Sequence, residues 1–147
     1  MSRVIFSLKV DDLGEYYELS ERLAAFDTRT IQELMKSMGQ ELVEVSREHI
    51  ERKTSPDGRP FAPWSAATKK QAAGTSRDIL RDSLELFNSL SWRIIGDALL
   101  FGSDKEYAGV QQFGWPDRRI PARPFLGIGI QESQRIEDVL EYFGGFE

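Results

Sequence analysis

The feature that most constrains the fold is a run of apolar residues at helical spacing between residues 31 and 53. Side chains three and four positions apart share one face of a helix, so this spacing predicts a single long amphipathic helix. We expect Thr30 to be its N-cap, with Glu33 as the reciprocal partner of a capping box. The segment 54–58 should end it, because proline and glycine continue a helix poorly. The predicted buried face comprises Ile31, Leu34, Met35, Met38, Leu42 and Val45.

The rest of the chain alternates short strand patterns with short helical patterns. Strands are predicted at 3–10, 91–95 and 98–102, helices at 13–26, 79–90, 106–113 and 133–143, and either a strand or a helix approach at 125–130. Gly96-Asp97 suits a two-residue turn, which makes 91–102 a β-hairpin. We therefore predict an α+β fold in one domain, residues 1–147: a small antiparallel sheet packed against the long helix and the shorter helices, with a long loop near 54–78.

Composition excludes several classes of protein. The 147 residues include no cysteine, which excludes a disulfide framework and a thiolate site. No apolar run is long enough to span a membrane, and the N-terminal residues do not resemble a signal peptide, so no membrane association is expected.

Charge is distributed unevenly around the net value of −5. Residues 1–50 hold 6 basic and 10 acidic side chains, 51–82 hold 7 and 4, and 83–147 hold 6 and 10. Nucleic-acid binding requires a basic surface, because phosphate neutralisation dominates the affinity. The segment 52–81 is the part of the chain that would provide a basic surface, so a nucleic-acid-binding accessory protein is the alternative function. The net negative charge of the chain as a whole disfavours it.

Catalytic signals are weak. His49 is the single histidine, and its charged neighbours favour a surface or half-buried position on the helix. Asp11 and Asp12 fit a helix cap better than a metal pair, because aspartate is favoured at N-caps. The sequence has neither a glycine-rich phosphate loop nor a nucleophile elbow. We therefore predict no enzymatic activity, no cofactor and no metal site.

Three ordered patterns carry a resemblance to a known family. The first is PDGRPFAPW at 56–64, followed by TKK at 68–70; the second is ILRDSLELFNSL at 79–90. The third combines FGS at 101–103, YA at 107–108, QFG at 112–114 and IPARPFLG at 120–127. Together they resemble the phage virion morphogenesis family, which includes tail completion proteins of contractile-tailed phages of the Mu-like or P2-like type.

The resemblance implies a structural protein of the virion, located at the tail or neck and assembled in the host cytoplasm. It implies a role in tail completion and head–tail joining through protein–protein contacts. The implied partners are neck and tail proteins, such as the tail terminator and the head–tail connector. Further copies of the chain, in a ring of six, are also implied.

Aromatic and basic residues in the loops are the candidate partner contacts, because tryptophan, tyrosine and arginine are favoured at interfaces. The candidates are Arg59, Phe61, Trp64, Lys69, Lys70, Tyr107, Arg123 and Phe125. The two prolines of IPARPF predict a stiff, extended arm that presents Arg123. For Phe61, Trp64, Tyr107, Arg123 and Phe125, packing inside the chain's own domain is an equally open interpretation.

Overall fold

The structure, a computed structural model, describes residues 4–9, 28–76, 78–80, 84–96 and 98–144. The predicted helix 13–26 and the pair Asp11-Asp12 lie outside these residues. The described elements are β1 Val4–Lys9, α1 Thr28–Arg52, α2 Ala66–Ala72, α3 Glu85–Ser89, β2 Ser91–Ile95, β3 Ala98–Ser103, α4 Ala108–Phe113, a 3-10 turn Pro116–Arg118 and α5 Ile130–Gly144. None of the helices in these ranges is long and apolar enough to cross a membrane. The α+β prediction is confirmed.

The strands form one antiparallel sheet in the order β1-β3-β2. The hairpin of β2 and β3 is confirmed: Ile95 is opposite Ala98, and Gly96 has a φ of 59°, as a tight hairpin turn requires. β1 adds to the other side of β3, with Val4 opposite Ser103. Leu99 and Phe101 are buried, so β3 directs alternate side chains into the core.

Helix α1 lies against β2, β3 and α5, and its predicted apolar face is the centre of the core. Leu34, Met35, Met38, Leu42 and Val45 are all buried, and Ile31 packs at the edge. Gly39 lets the sheet approach closely, because a Cβ at this position would lie 2.6 Å from the Trp92 ring. The absence of a side chain on one residue thus sets the distance between helix and sheet.

The beginning of α1 differs from the prediction, whereas its end at Arg52 agrees with the predicted end near residue 53. The helix begins at Thr28, so Thr30 lies inside the first turn and not at the N-cap. At the other end Lys53 adopts a left-handed φ of 56°. The amide of Thr54 donates to the His49 carbonyl and that of Lys53 donates to the Ile50 carbonyl, which together form a Schellman cap. The helix therefore stops before the predicted proline and glycine are reached.

Several other predicted boundaries are wrong. The long loop near 54–78 contains a helix, α2. Of the predicted helix 79–90, the described residues form α3 alone, because Leu80 and Leu84 have left-handed φ values of 59° and 61° that a right-handed helix excludes. The segment 125–129 is irregular, and α5 begins at Ile130, three residues earlier than predicted.

His49 is buried, contrary to the expected surface or half-buried position. Its Nδ1 lies 3.1 Å from the Phe125 carbonyl oxygen, which only accepts, so Nδ1 carries a proton. Its Nε2 lies 3.3 Å from Oε1 of Glu132, whose Oε2 accepts from the Gly129 amide. The pair joins α1 to the beginning of α5.

Candidate protein-binding site

The most distinctive surface element is a compact arm, residues 113–122, that begins at the last residue of α4. Trp115 and Ile120 exchange backbone hydrogen bonds of 2.8 and 3.0 Å, which close the arm into a loop. Inside the loop Pro116 opens the 3-10 turn, and Arg119 adopts a left-handed φ of 55°. The Arg118 guanidinium lies 4.5 Å from the centre of the Trp115 ring. The arm therefore presents two adjacent arginines on a hydrogen-bonded loop.

Gly114 joins α4 to the arm and permits its sharp return. Its φ is 75°, and its amide donates to the Val110 carbonyl at 2.7 Å. A Cβ here would lie 2.7 Å from the Ala122 nitrogen and 2.9 Å from the Ile120 oxygen. Both the positive φ and the close approach require glycine, although the ψ of 176° places Gly114 outside the left-handed helical region.

Arg123 attaches the end of the arm to a distant loop. Its amide donates to the Gln111 carbonyl, its Nε to the Ala62 carbonyl at 2.7 Å and its Nη2 to the Pro63 carbonyl at 3.0 Å. The residue is buried, and this desolvation lowers the pKa of its guanidinium. Arg123 is therefore an internal brace between the arm and the loop at 61–63, and not an exposed anchor.

Gln112 fixes the chain that follows the arm. Its Oε1 accepts from the amides of Phe125 and Leu126 at 3.0 and 3.1 Å, and all three residues are buried. Phe125 is 0% exposed. Phe113, whose apolar ring favours a core position, is instead 66% exposed at the base of the arm. One face of α4 thus packs inside the domain, whereas its last residue is exposed to solvent.

The loop after α1 is folded onto the domain at Phe61. Phe61 is buried, and its amide donates to the Lys53 carbonyl at 2.7 Å. The preceding turn is held by the Asp57 carboxylate, which accepts from the Arg59 amide at 3.1 Å. This hydrogen bond lowers the pKa of Asp57. The Arg59 side chain itself is exposed.

Helix α2 presents the two predicted lysines. Ser65 is its N-cap, and the Ser65 hydroxyl accepts from the Thr68 amide at 3.2 Å. Lys69 and Lys70 are both exposed, whereas Trp64, just before the cap, is half-buried. The local sequence therefore produces a short basic helix beside the loop that Arg123 holds.

A groove of about 1010 Å³ separates α2 and its preceding loop from the arm. Its described apolar lining includes Trp64, Leu80, Leu84, Leu86, Tyr107 and Ile120. Three arginines at positions 118, 119 and 123 and two carboxylates, Asp78 and Glu85, also line it. Asp78 is paired with Lys53 at 2.8 Å. The groove combines aromatic rings with excess positive charge, as protein-binding surfaces often do.

The structure divides the eight predicted contact residues into three groups. Phe61, Arg123 and Phe125 are buried, so the expectation of exposed contacts is corrected to internal packing for these three. Trp64 and Tyr107 are half-buried and line the groove. The exposed ones are Arg59, Lys69 and Lys70. Sequence reasoning did not single out Arg118 and Arg119, although adjacent arginines between two prolines were a usable signal.

The arginine-bearing arm and the aromatic groove beside it form the candidate contact surface among the described residues. The model of the phage virion morphogenesis family matches residues 13–143. The Mu-like prophage FluMu G protein 1 of Haemophilus influenzae is 32% identical over 132 residues, covering 78% of this chain and 89% of that protein. No solved structure matches significantly. The chain belongs to the phage virion morphogenesis family, a family of structural phage proteins, and acts in virion assembly.

Proposed function

We propose that the protein is a non-enzymatic tail completion protein that joins heads to tails at the neck of the particle. It acts by protein–protein contact as a ring of six copies between the tail terminator and the head–tail connector. Family membership supports the setting. The observation that supports a mechanism by protein–protein contact is the arm, whose exposed arginines lie on a loop closed by backbone hydrogen bonds.

Rigidity is the property that makes the arm suitable for joining. A contact segment that is already ordered loses little conformational entropy on docking, so more of the contact energy appears as affinity. The arm is ordered at its tip by the Trp115–Ile120 pair and at its base by Arg123 and Gln112. These bonds come from the chain itself and are in place before any partner binds.

A nucleic-acid role for the segment 52–81 has less support. Single-stranded nucleic acids need exposed aromatic rings on which bases can stack. In this segment Phe61 is buried and Trp64 is half-buried, although Arg59, Lys69 and Lys70 are exposed. Binding to DNA at about 50 mM salt that collapses by about 200 mM would reveal phosphate contacts and favour this role.

Electron microscopy of a lysate from a phage or prophage deleted for the gene tests the proposed function. We expect separate filled heads and finished tails, and rescue by the wild-type gene supplied on a plasmid. Aberrant heads would move the site of action to capsid assembly and refute the joining role. Particles identical to wild type would refute a structural role altogether.

Complementation with charge reversals tests the basic loop. The triple variant Arg59→Glu, Lys69→Glu, Lys70→Glu should reduce the yield of joined particles without unfolding the protein, because all three side chains are exposed. The matched control reverses three exposed cations elsewhere: Arg29→Glu, Lys36→Glu and Arg93→Glu. Equal yields from both triples would exclude a specific role for the loop.

A further inference from the structure

We propose that copies of this chain associate head to tail, with the outer face of α5 of one copy in the arm-side groove of the next. The inference rests on the proposed function in one respect, because it supplies the subunit contact of the proposed ring. The groove is the one between α2 and the arm, and the occupant is the face of α5 that carries Asp138, Glu141 and Tyr142.

The groove has positive charge that the described residues do not neutralise. Among the described residues, no carboxylate lies within ion-pair distance of Arg118, Arg119 or Arg123. Arg118 and Arg119 are exposed at the rim. Arg123 donates to two carbonyl oxygens, which are uncharged and therefore do not neutralise its positive charge. Because low-dielectric walls focus the field in a cleft, such a groove selects an anionic occupant.

The outer face of α5 has the complementary character. Asp138 and Glu141 are exposed, and neither pairs with a described cation, since Arg135 is engaged by Glu41 and Glu48 at 2.8 and 2.6 Å. Tyr142 is 81% exposed beside them. Residues at positions i, i+3 and i+4 lie on one face of a helix, so two carboxylates and an aromatic ring form a single stripe.

Size and position also fit a second copy. The volume of about 1010 Å³ accommodates the side chains along one face of a helix, and the apolar wall at Trp64 and Tyr107 suits a tyrosine ring. The shallow depression along α5, lined by residues such as Ser37, Asp138 and Tyr142, shares no lining residue with the groove. A contact between two different patches is heterologous and repeats around a ring when the rotation closes.

Charge exchange tests the pairing with purified full-length protein. One variant carries Arg118→Glu and Arg119→Glu, and the other carries Asp138→Arg and Glu141→Arg. Each alone brings like charges together and should raise the dissociation constant of self-association by at least about tenfold. Mixed in equal amounts, the two variants should associate again, because every groove then meets a helix of opposite charge.

Sedimentation velocity at concentrations up to about 1 mM measures the association, and circular dichroism confirms that each variant is folded. The matched control, Glu44→Arg with Glu51→Arg, makes the same charge change on an exposed part of α1 and should self-associate like wild type. A wild-type chain that stays monomeric at all concentrations overturns the inference. So do variants that associate like wild type, or a mixture that fails to recover.

Cysteine cross-linking identifies the contact directly, because the chain has no cysteine of its own. A variant with both Arg119→Cys and Tyr142→Cys should give a ladder of cross-linked oligomers, whereas either single variant should give none. Dimers from a single variant would indicate a symmetric contact and refute the head-to-tail arrangement. These outcomes are independent of the deletion lysate: normal joining without the gene refutes the proposed function, whereas a missing ladder refutes only this contact.

Discussion

Replacing Gln112 by methionine should destabilise the domain, because the Gln112 side chain is the acceptor for two consecutive buried amides. Its Oε1 lies 3.0 Å from the Phe125 nitrogen and 3.1 Å from the Leu126 nitrogen. Methionine has nearly the same length and volume, so the change removes the acceptor without opening a large cavity.

The magnitude follows from the number of hydrogen bonds lost. Phe125 and Leu126 are 0% and 2% exposed, so water does not reach either amide. A buried donor left without a partner costs about 1–3 kcal/mol, so two cost about 2–6 kcal/mol. The free energy of unfolding of a domain this size is about 5–15 kcal/mol, and the melting temperature should fall by about 2–4 °C for each kcal/mol lost.

Urea unfolding followed by tryptophan fluorescence measures the effect, compared with Phe113→Ala at the next, 66% exposed position. The control should change the free energy of unfolding by less than about 0.5 kcal/mol. A loss below about 1 kcal/mol for Gln112→Met would refute the reasoning, since it would mean that the two amides find other partners and that the base of the arm does not depend on Gln112.

Three further predictions concern other parts of the molecule. Glu132→Ala should lower the free energy of unfolding by about 1–3 kcal/mol, because it leaves the buried Gly129 amide without its acceptor; Glu132→Gln keeps an acceptor for this amide, so chemical denaturation should show a clearly smaller loss. Gly39→Ala should destabilise by up to about 2 kcal/mol despite the helix preference of alanine, because its Cβ meets the Trp92 ring; the loss should disappear in the Trp92→Ala background, and a strictly additive double-mutant cycle would contradict the contact. The pKa of Asp57 is lowered from 3.8 by the Arg59 amide, so the stabilisation of this turn should be complete above pH 3.8 and lost as the pH falls through the lower folded-state value; an NMR titration of the Asp57 carboxyl with a midpoint at or above 3.8 would show that the hydrogen bond is absent.

The spacing of apolar residues predicted α1 well, whereas residue type misled the prediction for His49. The buried face of α1 is long and regular, so tertiary contacts reinforce its helical preference. His49 continues the same stripe, seven residues after Leu42 and four after Val45. Its charged neighbours indicated a surface position, whereas its spacing indicates a core position. The structure has His49 buried, in agreement with the spacing.

Helix α4 shows the opposite difficulty. Apolar character indicated Phe113 as the core residue, but the helix buries Ala108, Gly109 and Gln112. The returning chain at 125–126 needs an acceptor for its amides, and this demand comes from residues that are distant in sequence. Local pattern therefore could not predict which face of α4 is buried. The same applies to Arg123, whose carbonyl partners lie about sixty residues earlier.

The brace formed by Arg123 has a mechanical consequence. Its guanidinium holds the carbonyls of Ala62 and Pro63 on one side, while its own amide is held by the last turns of α4 on the other. A pull on the tip of the arm is therefore shared between two segments far apart in sequence. Tension on the tip would have to break the two charge-assisted hydrogen bonds of the guanidinium at the same time, and not one after the other.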